Sequence, residues 1–89
     1  MEEIEHASDE QVAAKMKLGA TRRREGEPMV YKVPLEWLAH RAPHMKQAQV
    51  WQSPEGELKL RGDHHQRGTI TPLTVDSIEH ALGLLRQMT

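Results

Sequence analysis

Two adjacent histidines, His64 and His65, stand in the stretch RGDHHQRG (61–68), between Arg61, Asp63 and Arg67 and a pair of glycines. Such residues suit three chemistries: metal ligation by imidazole, general-base catalysis, and anion binding by glycine-flanked arginines. Metal ligation needs imidazoles that converge on one point. Neighbours in an extended segment point to opposite sides, so His64 and His65 do not both reach one ion. His40 and His44 are four apart, but Pro43 interrupts the helix that would align them. No HExxH-type signature is present. No metal and no other cofactor is expected.

Catalysis has no better footing. The serines are Ser8, Ser53 and Ser77, and each sits where a cap or turn residue belongs. Cysteine is absent, and a small core leaves little room for a deep pocket. No catalytic residue is assigned, and the chain is expected not to be an enzyme. The RGD at 61–63 reads as a strand end at Arg61, a turn at Gly62 and a local acceptor at Asp63.

Binding remains. Arg22, Arg23 and Arg24 form a basic run, and Arg61 and Arg67 bracket the histidines. Arginines in glycine-flanked loops suit phosphate contacts, so nucleic-acid binding through these five is one expectation. Against it stand a net charge of −1 and the lack of a helix with the polar face of a recognition helix. Protein docking is the leading expectation. Trp37 and Trp51 fall off the predicted inward faces, and exposed Trp beside Arg is a hot-spot composition. The predicted contact residues are Trp37, Trp51, Arg61, His64, His65 and Arg67, with the last five gathered at one side of the sheet end. Small single-domain inhibitors and adaptors of phages and other mobile elements share this general composition. That association rests on no particular residue.

These side chains must be positioned by 89 residues, enough for one small domain. There is no Phe, so Leu, Val, Ile and Met must fill the interior. The lack of cysteine excludes a disulfide scaffold and fits a cytoplasmic protein. No apolar run approaches the roughly 20 residues that span a bilayer. The start, MEEIEHASDE, is acidic where a signal peptide would be basic and then apolar. No membrane partner is expected. Residues 1–10 carry only acids (Glu2, Glu3, Glu5, Asp9, Glu10), whereas 11–24 carry only bases (Lys15, Lys17, Arg22, Arg23, Arg24). We read an acidic flexible tail over 1–7 and a mobile basic connector over 20–28.

Ser8 with Gln11 matches a capping box and opens a helix over 9–18, with Val12, Ala13 and Met16 on one face. Gly19 would end it in the left-handed conformation. Met29, Tyr31 and Val33 alternate as a short strand. Pro34 starts a short helix whose stripe is Leu35, Leu38, Ala39 and Ala42, stopped by Pro43. MKQAQVWQ, SPEG and ELKLR predict a β-hairpin over 47–61, with Ala48, Val50, Leu58 and Leu60 inward and Trp51, Lys59 and Arg61 opposite. TIT (69–71) is a third pairing strand, ended by Pro72. Thr74 or Asp76 caps a last helix with a wide stripe of Ile78, Ala81, Leu82, Leu85 and Met88, extended by Leu84. The fold class is α+β: a small antiparallel sheet packed against an amphipathic C-terminal helix, with an N-terminal and a short central helix, in one domain over 8–89. A homodimer through the C-terminal helix would use Leu84 or Met88.

Overall fold

The capping box at Ser8 forms as expected. The Gln11 amide donates to the Ser8 hydroxyl at 3.2 Å, and the Ser8 amide donates to the Gln11 side chain at 2.8 Å. Both satisfy donors that a helix start leaves free. The structure, a computed structural model, describes residues 7–20 and 28–88. The acidic tail, except Ala7, and the connector from 21 to 27 lie outside the described residues. Helix α1 runs Asp9–Leu18 and buries Val12, Ala13 and Met16. Gly19 does not take the left-handed conformation; its φ is −93°. The helix ends instead in a tightened turn, with the Ala20 amide donating to the Lys17 carbonyl.

Strand β1 (Met29–Lys32) leads to the short helix α2 (Leu35–Arg41), with Pro34 at its N-cap. The inward face of α2 differs from expectation. Trp37 and Leu38 are buried with Ala42, whereas Leu35 is 68% exposed and Ala39 is exposed. Trp37 removes far more apolar surface from water than Leu35 could, and a seven-residue helix can turn to bury it.

Strands β2 (Met45–Gln52) and β3 (Leu58–His64) form the hairpin, three residues longer toward its open end than 61. At its closed end the Gly56 amide donates to the Ser53 carbonyl, and Gly56 has φ +93°, a conformation that favours glycine. Strand β4 (Gly68–Thr69) and strand β5 (Leu73–Val75) both pair with β3, so the third strand is broken in two around Pro72. The sheet order is β1-β2-β3-β4, with β5 also on β3, and every pairing is antiparallel.

Gly62 is not a turn residue. It lies inside β3, opposite Ala48, next to the register shift between Met45 and Gln47. The extra residue of that bulge, Lys46, bends β2 locally. A Cβ on Gly62 would meet the Gln47 carbonyl oxygen at 2.7 Å and the end of Met45 at 2.9 Å. The turn comes later, at 65–67.

Helix α3 (Ile78–Gln87) is capped by Ser77, whose hydroxyl accepts from the His80 amide at 3.0 Å, and not by Thr74 or Asp76. Thr74 is a strand residue, and the Asp76 amide donates to the His80 ring. Ser77→Ala should lower stability by about 1 kcal/mol in urea unfolding, whereas Thr74→Ala should change it little.

All three helices feed one core. Val12, Ala13 and Met16 of α1, Trp37 and Leu38 of α2, and Ile78, Ala81, Leu82 and Leu85 of α3 meet Ala48, Val50, Leu60 and Val75 of the sheet. The α1 and α3 surfaces are also tied by an ion pair between Asp9 and Arg86. The fold is therefore α+β, with the helices on one sheet face.

Candidate functional site

The antiparallel register sorts every sheet residue to one of two faces. Three cross-strand rows point away from the core: Val30–Trp51–Lys59–Thr74, Lys32–Gln49–Arg61, and Gln47–Asp63–Thr69. Among the described residues, no helix covers this face. Its composition is mostly polar, with one large ring at its centre.

Arg61 and Trp51 are diagonal neighbours across β2 and β3. The Arg61 guanidinium carbon lies over the Trp51 ring, 4.4 Å from its centroid. This stack holds the planar cation at a fixed place on the face. Among the described residues Arg61 forms no ion pair. Trp51 is half-buried, and its indole N–H is buried without an acceptor. The neighbouring acid, Asp63, is occupied: Gln47 and Thr69 (2.8 Å) both donate to it. Those hydrogen bonds, followed by the Lys46 charge, hold its carboxyl below the ordinary value, against a smaller opposing effect of burial.

Two shallow grooves meet at Arg61. One, of ≈ 500 Å³, runs along Lys32, Gln47, Gln49 and Asp63 to the exposed Leu35. The other, of ≈ 450 Å³, lies beside Trp51 and takes in Pro28, Pro54 and Pro72. Both have the volume of a small-ligand site but are open to solvent along their length.

The predicted contact residues separate into three groups. Trp51 and Arg61 come together on the open face. His65 and Arg67 are exposed in the turn between β3 and β4. Trp37 and His64 are corrections: Trp37 is 0% exposed and His64 6%, so neither is available to a partner. Strand alternation explains His64. The strand continues two residues past Gly62, and the even-numbered positions Leu60, Gly62 and His64 face inward. Of the five arginines expected for nucleic-acid contacts, Arg22, Arg23 and Arg24 lie outside the described residues. Sequence reasoning did not single out Gln47, Gln49 or Lys32, although strict alternation with Trp51 and Arg61 is the signal that places them there.

His64 has a structural role. Its Nδ1 accepts from the Gln66 and Arg67 amides at 3.0 and 3.2 Å, which shapes the turn. Nδ1 as acceptor leaves the ring proton on Nε2, which is buried without a partner. The His44 ring lies 5.6 Å away and donates Nε2–H to the Leu85 carbonyl at 2.7 Å. Burial, and then the neighbouring His64, lower the His44 pKa from 6.5. The unfolded chain therefore takes up this proton first. Stability should fall as the pH drops below about 6.5 and level off below the folded-state pKa. His44→Gln keeps a donor for Leu85 and removes the titration, so its melting temperature should decline less steeply between pH 7.5 and 5.5.

Among the described residues, no three His, Cys, Asp or Glu side chains cluster as a metal site would require, and no helix is long and apolar enough to cross a membrane. The α3 stripe is largely used within the chain: Ile78, Ala81, Leu82 and Leu85 are buried, and Leu84 and Met88 pack half-buried against the same core. Comparison with family models, with curated proteins and with solved structures gives no match.

Proposed function

We propose that this is a non-enzymatic docking protein of inhibitor or adaptor type, which acts in the cytoplasm by binding another protein on its open sheet face. One observation carries the proposal: the Trp51–Arg61 stack stands at the centre of a sheet face that no helix of the described residues covers. Trp and Arg are the residue types that most often dominate binding energy at protein interfaces. A ring already fixed by its neighbour loses little conformational freedom on binding. Nucleic acid is the weaker reading. The ring on which a base would stack already carries Arg61, Trp37 is in the core, and Tyr31 lies on the inward rows and donates to Gln52.

The test is cross-linking from the face itself. A photoreactive residue replacing Gln49 is irradiated in native cells, with replacement of the exposed Lys17 on α1 as the control. A defined protein adduct from position 49, and not from 17, is the expected result. Adducts that are nucleic acid, or equal yields from both positions, would overturn the reading.

A further inference from the structure

The groove beside Trp51 joins an apolar wall to a fixed cation. Pro28, Pro54 and Pro72 line it together with Trp51, Lys59 and Arg61. Glu55 and Glu57 also border it; Glu57 lies 3.4 Å from Lys59 and so answers that charge within the chain, while Glu55 is exposed at the hairpin turn, at the end of the groove formed by Pro54. Arg61 is left as the cation of the groove with no acid partner among the described residues. Lys32, in the same cross-strand row, is likewise unpaired among them. Asp63, in the adjacent cross-strand row, has its oxygens taken by Gln47 and Thr69.

A guanidinium stacked on a ring keeps its N–H donors around its edge, where they match the two oxygens of a carboxylate. Rigid proline rings next to the tryptophan offer an apolar surface that loses no side-chain entropy on contact. We propose that this groove takes an extended acidic segment of a partner protein, with one carboxylate seated on Arg61 and a neighbouring apolar side chain against the prolines. This rests on the protein-docking function above and adds the chemistry of the segment that docks.

The probe is a display library of random twelve-residue peptides, selected on the immobilised full chain. Selected peptides are then synthesised and titrated by fluorescence polarisation. Enrichment of Asp or Glu within two positions of an apolar residue is expected. Arg61→Gln should weaken binding at least about tenfold, since it removes a charge-assisted pair. Its melting temperature should fall by only a few degrees, because the half-buried Arg61 lies outside the core and loses just its stack on Trp51.

The outcomes separate the two proposals. Peptides that lose binding on Trp51→Ala but show no acid enrichment, or are indifferent to Arg61→Gln, overturn the carboxylate subsite and leave the docking face standing. Peptides indifferent to Trp51→Ala, Gln49→Arg and Arg61→Gln alike overturn both. Selection that yields nothing above background overturns the subsite. A fifteen-nucleotide oligothymidylate that binds through Arg61 more tightly than any selected peptide replaces it with a nucleic-acid site.

Discussion

Trp37→Ala is expected to destabilise the domain by about 3–5 kcal/mol, the range for deleting a fully buried aromatic side chain. Trp37 is the largest side chain with no exposure at all, and it links α2 to the common core. A chain of this length has a total stability of roughly 4–13 kcal/mol, so the loss is a large share of the whole. Trp51→Ala should behave differently. It removes a half-buried ring and a surface cation–π contact worth about 0.5–1 kcal/mol, and leaves the core intact. Urea unfolding of the two variants measures the contrast. Equal destabilisation would mean that Trp51 is part of the core and not of a contact face.

Gly62→Val should be the second severe substitution, with a loss of about 3 kcal/mol or more, and Gly62→Ala about 1–3 kcal/mol. The cause is steric. Among the described glycines only Gly56 and Gly68 have positive φ, so Gly62 is not needed for its backbone conformation. It is needed because the Gln47 carbonyl would lie 2.7 Å from any Cβ, and a backbone atom cannot swing aside. Relief requires the bulge in β2 to open, which would also disturb the Gln47–Asp63 contact on the open face. Gly56→Ala is the control: nothing lies within 4 Å of its Cβ, so only the cost of a positive φ, about 1–2 kcal/mol, remains. Chemical denaturation of the three variants, with side-chain amide spectra of Gln47, gives the comparison.

Much of the fold was legible because local chemistry specified it. Ser8 and Gln11 marked a helix start by reciprocal hydrogen bonding, and Pro54 with Gly56 marked the closed end of the hairpin. Alternation along β2 and β3 put Trp51, Lys59 and Arg61 opposite Ala48, Val50 and Leu60. What was not legible depended on tertiary contact. The rotation of α2 that buries Trp37 and exposes Leu35 follows from what the core accepts, since both residues lie on the same short helix. Gly62 looked like a turn residue because glycine serves turns and close strand approaches alike, and the bulge that decides between them is a pairing property. His64 followed, being carried inward once the strand continued. Of the predicted contact set, the pair that the sheet brings together is Trp51 and Arg61. The partner-facing role of that pair comes from an uncovered face, which no single segment of sequence displays.

The most direct test of docking on the open face uses the two indole N–H resonances, one from Trp37 and one from Trp51. The protein captured by cross-linking from position 49 is purified and titrated into isotope-labelled chain while proton–nitrogen spectra are recorded. The expected result is that the Trp51 indole and the side-chain amides of Gln47 and Gln49 shift in proportion to binding, while the Trp37 indole stays in place. Shifts concentrated on Trp37 and the α1–α3 surface, with Trp51, Gln47 and Gln49 unmoved, would contradict it.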